Sequence, residues 1–476
     1  MRLSDATLAH LPPGIGRPGY DRAAVQAGVV HLGTGAFHRA HQAVLADAAL
    51  RAGDLRWGVT GASLRSPATR NALAPQDGLY ALNVRGEADE YSVIGSIGRI
   101  LVAPEDPAAL LAALAHPTVR IVSLTVTEKA YCLDPAAGTL DEEHPDILHD
   151  LAHPHAPRSA PGFLIAALAR RRAAGLPPPT VLCCDNLPQN GVTLHRLLVR
   201  LAARMAPGLE GWVEDEVSCP GTMVDRIVPA TTKADRARVS AALGMEDAWP
   251  VVAEPFLQWV VEDRFTAGRP DLEAHGATMV SDVAPFEAMK LRMLNAAHSA
   301  IACLGLLAGD ATVADAVRDA GLAAFVRGLM RDTAQTLLVP PGTDVAAYGQ
   351  ALMARFANPA LQHRTAQIAM DGSQKLPPRL LGTMRDRLDQ GLPVARHAMA
   401  VAAWMQHAAT SPALQDPRAE ELARVVQGGG PAALLDVAAV FGDLAARPAA
   451  RAAILAALAR LQQAGPRRVL DGLGDG

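Results

Sequence analysis

The chain has 476 residues, of which half are hydrophobic and 19% are charged, so it is long enough for two domains and too apolar for a disordered protein. Its formal net charge of −4 argues against a nucleic-acid or anionic-membrane partner. The five cysteines form no CxxC pair, the N-terminus has no signal-peptide pattern, and no uncharged apolar run is long enough to span a membrane. These features predict a globular protein of the cytoplasm.

The first half of the chain alternates strand-like and helix-like segments. Short apolar runs predict strands at residues 28–32, 57–64, 92–102, 119–126 and 179–184, of which the one at 92–102 is weaker and interrupted by glycines. A helix follows the first strand to about residue 52. This alternation predicts an α/β fold with a doubly wound parallel sheet, in which ligands bind beyond the carboxyl ends of the strands. Three polar motifs directly follow strands and are expected to lie together: residues 33–35, 127–129 and 185–186.

From about residue 281 the pattern is helical and rich in Ala and Leu almost to the end. Pro285 is suited to the first turn of a helix. Proline and glycine predict loops at residues 340–344, 371–373 and 428–431. We therefore predict a dinucleotide-binding domain over residues 1–280 and a mostly α-helical domain over residues 281–476.

The segment GTGAFH after the first strand begins like the dinucleotide-binding fingerprint G-x-G-x-x-G. Gly33 and Gly35 allow a tight turn and a close approach of the backbone to a pyrophosphate. His38 stands in place of the third glycine, and the second strand is not followed by the usual acidic residue. Arg65 or Arg70 could instead favour a 2′-phosphate, so NAD is preferred over NADP without excluding it. The alternative is a plain strand–helix turn.

Lysine is scarce in this chain. Only four of the 44 basic residues are lysines: Lys129, Lys233, Lys290 and Lys375. Arginine stays protonated at ordinary pH, whereas a buried lysine can lose its proton and act as a base. The remaining lysines are therefore candidates for chemistry that arginine cannot perform.

The helix predicted at the start of the second domain contains one of these lysines. At about 100° per residue, four of its polar side chains project within an arc of roughly 140°: Glu287, Lys290, Asn295 and His298. Such groups in an apolar helix are costly unless they are paired or functional. In a secondary-alcohol dehydrogenase, Lys290 would remove the hydroxyl proton while Asn295 and Asn186 donate to the developing alkoxide. The alternative is a polar seam between domains.

Several histidines also invite a zinc-binding interpretation. They are His31, His38 and His41, and four more between residues 144 and 155 in a segment, 139–160, that we predict to be irregular surface. Neither group suggests a complete ligand set, so hydrogen-bonded or solvated histidines are favoured. Asp225-Arg226 and the segment EPFLQW at 254–259 are equally compatible with structural roles.

Taken together, these motifs resemble the polyol-specific long-chain dehydrogenase family, which includes mannitol 2-dehydrogenases and fructuronate reductases. The matching segments are GTGAFHRAH (33–41), LTVTE (124–128), CDN (184–186), MVDRIVP (223–229), EPFLQW (254–259) and MKLRMLN (289–295) with His298. The resemblance spans nearly the whole chain. It implies a Rossmann-type domain, a mostly helical C-terminal domain, metal-independent hydride transfer with NAD(P), and a site between the domains.

The resemblance also implies residue roles. By position, Lys290 is the general acid/base, Asn186 and Asn295 polarise the reacting oxygen, His298 orients the substrate and Glu287 gates proton exit. The resemblance and the glycine motif together predict cofactor contacts at Gly33, Gly35, Ala36, Phe37, Arg65, Glu128 and Asp225.

Two segments distinguish the branches of the family. TEKAYC at 127–132 and QIAMDGSQKLP at 367–377 resemble the fructuronate reductases, whereas mannitol enzymes tend to have Gly at 129 and Arg at 367. A hexuronate has a carboxylate that mannitol lacks, and Lys129, Lys375 or Arg364 could pair with it. Because mannitol enzymes also have a lysine at 375, Lys129 is the distinguishing residue.

We therefore predict an NAD-dependent oxidoreductase that interconverts fructuronate and mannonate, with fructose and mannitol as the alternative pair. A non-catalytic sensor of a dinucleotide or sugar acid, and a zinc hydrolase, are more distant alternatives. The intact set of Lys290, Asn295 and His298 argues against the sensor because a binding protein needs no base. The sequence predicts a small-molecule substrate, no nucleic-acid or membrane partner, no metal, and no marked oligomer interface.

Overall fold

The computed structural model describes residues 1–134, 138–471 and 473. The chain forms two compact units, Met1–Ala284 and Pro285–Gly476. The five cysteines are all free and buried. Within the described residues, one helical stretch, Ala284–Ala308, is long and apolar enough to cross a membrane, but 61% of its apolar 18-residue window is buried inside the protein, as in a core helix.

The first unit is built on a five-stranded parallel sheet with strand order β5-β2-β1-β6-β7. Two three-stranded sheets, β4-β3-β9 and β11-β10-β8, complete it. The strands are β1 Ala27–Leu32, β2 Gly58–Ser63, β3 Tyr80–Arg85, β4 Asp89–Ile94, β5 Ile97–Val102, β6 Ile121–Leu124, β7 Thr180–Cys183, β8 Thr222–Asp225, β9 Val251–Ala253, β10 Gln258–Glu262 and β11 Ala277–Val280.

Helices surround these sheets. They are α1 Ala36–Ala40, α2 Gln42–Arg51, α3 Ala68–Leu73, α4 Pro107–Ala115, α5 Pro145–Ala152, α6 Ala160–Ala173, α7 Asn190–Met205, α8 Glu210–Glu216 and α9 Lys233–Leu243. Short 3-10 turns lie at Asp5–His10, Arg22–Ala24, Leu55–Trp57, Ala74–Gln76, Glu128–Tyr131 and Glu273–His275. Alternate residues of β1 enter different apolar clusters, since Val30 packs with residues of α4, α6 and α7 whereas Val29 packs with residues of α2. Both faces of the sheet are therefore covered, as a doubly wound fold requires.

The single strand predicted over residues 92–102 is wrong, because β4 and β5 belong to different sheets. The strand is interrupted at Gly95 and Ser96. The amide of Gly95 donates to the carboxylate of Asp47, and the hydroxyl of Ser96 donates to the carbonyl oxygen of Ala43. A Cβ at Gly95 would lie 2.6 Å from Pro18, so a side chain has no room there. The predicted helix after Gly35 also breaks, at the non-helical residue that separates α1 from α2.

The second unit is helical, as predicted. Its helices are α10 Ala284–Met289, α11 Ala296–Ala308, α12 Val313–Val317, α13 Ala320–Ala334, α14 Val345–Phe356, α15 Thr365–Ala369, α16 Gly372–Leu376, α17 Gly382–Asp389, α18 Ala395–Thr410, α19 Ala419–Gly429, α20 Ala438–Phe441 and α21 Pro448–Arg468. Two wide π-turns, Lys290–Asn295 and Pro377–Leu381, and 3-10 turns at Pro359–Leu361, Pro431–Asp436 and Gly442–Ala446 connect some of them. The loop predicted at 371–373 is wrong in part, because α16 already begins at Gly372.

The core of this unit lies along α11, α18 and α21, which pack on one another. Their contact faces contain many alanines, such as Ala300, Ala402 and Ala457. Small side chains let helix backbones approach closely, so these three helices pack tightly.

Candidate active site

The three polar motifs of the first unit lie together at one edge of the five-stranded sheet. They follow β1, β6 and β7, which are adjacent and parallel. Thr125 donates its hydroxyl to the carbonyl oxygen of Gly33 at 2.9 Å. The backbone amides of Val126 and Thr127 donate to the carboxylate of Asp185 at 2.9 and 3.0 Å. The predicted clustering of the motifs is therefore confirmed.

The two glycines of the first motif serve different purposes. Gly33 has φ +93°, and a Cβ there would lie 2.2 Å from the carbonyl oxygen of Thr125. Gly35 is exposed with φ −85°, and a Cβ there would meet no atom closer than 3.8 Å. Gly33 is therefore needed by the turn itself. Gly35, which has no side chain, keeps the backbone just before Ala36 and Phe37 accessible to a ligand. This arrangement fits the close backbone approach that a dinucleotide pyrophosphate needs.

His38 replaces the third glycine by stacking on His31, with ring centroids 3.4 Å apart. The ring nitrogens of His31 are each 2.8 Å from a hydroxyl, Nδ1 from Ser123 and Nε2 from Thr125. Because Thr125 gives its proton to the carbonyl of Gly33, Nε2 of His31 must be the donor to Thr125. Burial lowers the pKa of His31 to about 3 and keeps the ring neutral. Hydrogen bonding thus explains His31 better than a zinc ligand does.

A strained residue precedes two of the predicted binding residues. Thr127 has φ +72°, which is rare for a β-branched side chain. Its amide is held by Asp185, whose carboxylate also accepts the hydroxyl proton of Tyr131 at 2.7 Å. Burial raises the pKa of Asp185 despite these hydrogen bonds. Glu128 and Lys129 follow on the next turn and are both exposed, where ligands can reach them.

Sequence reasoning missed Asn190, which fixes the loop that presents the exposed Asn186. The buried side chain of Asn190 donates to the carbonyl oxygens of Cys183 and Thr222 at 3.0 and 2.8 Å. It also accepts from the amide of Thr222 at 3.0 Å. Asn190 therefore joins the ends of β7 and β8. The signal was a second asparagine four residues after Asn186.

Asp225 is buried at the end of β8, opposite Gln258 of β10, in a sheet separate from the five-stranded one. The adjacent Arg226 donates two hydrogen bonds to the carbonyl oxygen of Glu254, at 3.0 and 2.9 Å. The carboxylate of Glu254 accepts from the amide of Ile227 at 2.6 Å. Arg226 and Glu254 therefore have the structural roles that the sequence left open, while the cofactor role of Asp225 stays a prediction.

The turn after β2 contains Arg65, which is exposed. Arg70, the other arginine considered for a 2′-phosphate, forms an ion pair with Glu105. Arg65 is therefore the better candidate of the two for contact with the ribose end of a dinucleotide.

In the second unit, the helix that contains Lys290 departs from the predicted regular α-helix. The π-turn Lys290–Asn295 lies between α10 and α11, and its hydrogen bonds join residues five apart. Residues five apart diverge by about 140° in an α-helix, and the wider turn of a π-helix reduces that divergence. The turn therefore brings Lys290 and Asn295 towards the same face. Lys290 is only 9% exposed, and Glu287 is half-buried one turn before it.

His298 follows on α11 and is 7% exposed. Its ring lies 4.7 Å from the ring of Phe356 and 5.2 Å, edge-on, from that of His363. Burial, with smaller contributions from His363 and Arg355, holds the pKa of His298 well below its ordinary value. His298 is therefore neutral at physiological pH and can hydrogen-bond a hydroxyl as donor or acceptor. Sequence reasoning missed His363, which lies 65 residues further along the chain.

The two cations of the second unit proposed for a carboxylate differ in setting. Lys375 lines a small cavity with Ser299 and other residues, and its ammonium donates to the carbonyl oxygen of Ile368 at 3.3 Å. Arg364 is exposed just before α15, in an isolated bridge with Thr312. Ser299 lies one turn after Asn295, so this cavity places Lys375 near the helix that contains Asn295, which the sequence does not reveal.

Among the described residues, one group of three metal-ligand types has its ligand atoms within 4.8 Å of one another: Cys132, His144 and Asp146. His144 accepts the amide of Asp146 at 3.2 Å and so caps α5. Burial raises the pKa of Cys132 to about 12. A neutral thiol and a helix cap account for this group, and α5 corrects the prediction that residues 139–160 are irregular.

Comparisons with known proteins extend these observations. Family models for the mannitol dehydrogenase Rossmann domain and C-terminal domain match residues 27–274 and 282–462. The uncharacterized oxidoreductase YeiQ of Escherichia coli is 44% identical over 446 residues, covering 91% of each chain. The D-mannonate oxidoreductase of Escherichia coli is 46% identical over 400 residues, covering 83% of this chain and 82% of that one.

A solved structure also matches. The mannitol 2-dehydrogenase of Pseudomonas fluorescens, in a ternary complex with NAD and D-mannitol, has a TM-score of 0.91 and 39% identity over 99% of both chains. The Rossmann-type fold, the helical second unit and the ordered motifs are thus those of one family. The chain belongs to the mannitol dehydrogenase family.

Proposed function

We propose that this protein is an NAD-dependent secondary-alcohol oxidoreductase that interconverts fructuronate and D-mannonate. The observation that supports the chemistry most directly is the π-turn, which has a nearly buried lysine at one end and an asparagine at the other. A base and a hydrogen-bond donor on one face suit the removal of a hydroxyl proton with stabilisation of the resulting alkoxide. Family membership supports the same reaction type.

A nicotinamide cofactor held by the first unit would supply the hydride for reduction of the carbonyl carbon and would take it up in the oxidative direction. Lys290 gives a proton to the carbonyl oxygen during reduction and takes it back from the hydroxyl during oxidation. Asn186 and Asn295 donate hydrogen bonds to the same oxygen as negative charge develops there. The neutral His298 orients a substrate hydroxyl, and Glu287, one turn before Lys290, passes the proton towards solvent.

The residues proposed to hold the cofactor lie in the first unit. They are Gly33, Gly35, Ala36, Phe37, Arg65, Glu128 and Asp225. The open backbone at Gly35 and the exposed Glu128 support this set. Arg65 is compatible with a 2′-phosphate, so use of NADP is the alternative for the cofactor.

For the substrate, we propose that Lys129 pairs with the carboxylate of the hexuronate, with Lys375 and Arg364 as further contacts. Lys129 is exposed and follows the strained Thr127, whose backbone is fixed by Asp185. The 46% identity to the D-mannonate oxidoreductase favours the uronate. The mannitol 2-dehydrogenase similarity favours the alternative pair, fructose and mannitol. We also propose that the protein acts in the cytoplasm on small molecules without a membrane or nucleic-acid partner.

The test is oxidation of NADH and NADPH by the purified protein with fructuronate, tagaturonate and fructose offered separately. Preference for fructuronate supports the proposal, and preference for fructose makes the protein a mannitol dehydrogenase. Turnover of none of the three would favour the sensor alternative. Lys290→Ala should abolish turnover while leaving NADH binding intact, and retained turnover would contradict the mechanism.

A further inference from the structure

The π-turn of the catalytic helix is held by a residue from a second π-turn. The turn Pro377–Leu381 packs against Lys290–Asn295. One guanidinium nitrogen of Arg379, in this second turn, donates hydrogen bonds to the backbone carbonyl oxygen of Asn295 at 3.2 Å and to the hydroxyl of Ser299 at 3.0 Å. The hydroxyl of Ser299 in turn donates to the same carbonyl oxygen at 3.1 Å. The peptide that ends the catalytic turn is thus fixed from two sides.

A second contact involves a side chain of the turn. Arg292, in the middle of the turn, forms an ion pair with Asp386 of α17 at 2.5 Å. This pair is partly exposed and therefore contributes little to stability. Arg379 is different because its bonds are made to the backbone of the turn, where they act on the path of the chain.

The path of the chain decides where the catalytic groups point. π-turns are rare single turns that interrupt α-helices, frequently at functional sites, and this one could relax to an α-helical register. In that register Lys290 and Asn295 would diverge by about 140°, which moves their side chains apart on the helix surface and disfavours their joint contact with one oxygen. A charged donor bound to the Asn295 carbonyl favours the register in which they converge.

We propose that Arg379 is a positioning residue that holds the π-turn open and so aligns Asn295 with Lys290. The proposal rests on the proposed function for its catalytic consequence, but not for its structural one. It assigns a role to a residue that touches the backbone of the catalytic turn, 84 residues away in sequence.

The experiment compares Arg379→Met, Arg379→Lys and a matched control, Arg385→Met. Arg385 lies six residues after Arg379, on α17, where it pairs with the exposed Asp443. Arg379→Met should lower kcat roughly 10- to 100-fold, the scale expected for a catalytic group misplaced by about 1 Å. KM for the ketone and Kd for NADH should change less than about threefold, because binding groups stay in place. Arg379→Lys keeps one charged donor and should recover most of the loss, and Arg385→Met should match the wild type.

A second measurement does not depend on the substrate. Hydrogen exchange of the backbone amides at residues 290–299 should be faster in Arg379→Met than in the wild type or Arg385→Met. If exchange is faster in Arg379→Met and the wild type turns over no substrate, the structural part of the inference is supported while the proposed function fails. Unchanged exchange together with unchanged kcat would overturn the inference. Equal losses of kcat, NADH affinity and thermal stability would also overturn it, because they indicate a general structural role.

Should Arg379→Met fail to fold, Ser299→Ala decides the question. It removes the hydroxyl that links Arg379 to the Asn295 carbonyl but leaves the direct bond. A fall in kcat of roughly two- to tenfold with faster exchange at 290–299 supports the inference, on the scale of one lost hydrogen bond. Wild-type values of both quantities would overturn it.

Discussion

Gly33 and Gly35 should respond in opposite ways to the same substitution. In Gly33→Ala, the new methyl group meets the Thr125 carbonyl oxygen at 2.2 Å, and φ +93° is unfavourable for alanine. The left-handed backbone costs about 1–2 kcal/mol and the displacement of a packed contact about 1–3 kcal/mol. We therefore expect a loss of roughly 2–5 kcal/mol in the free energy of unfolding. For a unit of this size, that lowers Tm by about 5 °C or more.

Gly35→Ala places its methyl group in open space, at an ordinary φ of −85°. Its Tm should stay within about 2 °C of the wild type, because alanine at a compatible position is neutral or slightly stabilising. Its Kd for NADH should nevertheless rise roughly tenfold or more, because the methyl stands where the pyrophosphate approaches the backbone. Thermal unfolding without cofactor and NADH fluorescence titration measure the two effects. Wild-type NADH binding by Gly35→Ala, or an equal loss of Tm in both variants, would refute this reasoning.

Two further outcomes are expected. Lys129→Gly should raise KM for fructuronate far more than KM for fructose, because only fructuronate has a carboxylate that pairs with Lys129. Equal effects on both KM values in steady-state assays would rule out that pairing. Burial lowers the pKa of His31 and His397 to about 3 and of His363 to about 4. Near pH 6.5 and below, the unfolded chain therefore binds protons that the folded chain does not. The free energy of unfolding should fall as pH decreases from about 6.5 towards 4, by up to about 1.4 kcal/mol per pH unit for each histidine. Thermal unfolding at pH 7, 6 and 5 measures this, and a Tm that is constant or higher at pH 5 would contradict it.

The sequence predicts the sheet and its functional edge well because both depend on local patterns. Short apolar runs mark β1, β2, β6 and β7 to within two residues. The ends of parallel strands meet at one edge, so the positions of the motifs along the chain are sufficient to predict that Gly33 and Asp185 lie near the same segment after β6. The single strand predicted across Gly95 fails because an apolar run does not reveal that the chain changes sheets there.

The helix that contains Lys290 shows where local pattern is insufficient. The segment MKLRMLN consists almost entirely of good helix formers, so its composition cannot distinguish hydrogen bonds between residues four apart from those between residues five apart. The π-turn is contacted by Arg379, and the ring of His298 is contacted by His363. Both partners are distant in sequence and belong to no motif recognised at the outset. His38, which stands in place of the third glycine, is a similar case. Its ring stacks on His31 across the strand–helix turn, and this contact between two separate segments is not visible in the sequence pattern.

Burial of the cysteines gives each unit its own chemical reporter of opening. Cys303 lies in the core of the second unit, whereas the other four thiols, Cys132, Cys183, Cys184 and Cys219, lie in the first. Burial raises the pKa of both Cys183 and Cys303 to about 12, so neither is a reactive thiolate in the folded protein. An alkylating reagent should therefore modify Cys303 only when the helical unit opens and Cys183 only when the sheet opens. Peptide mass analysis after brief alkylation separates the two events within one unmodified natural chain.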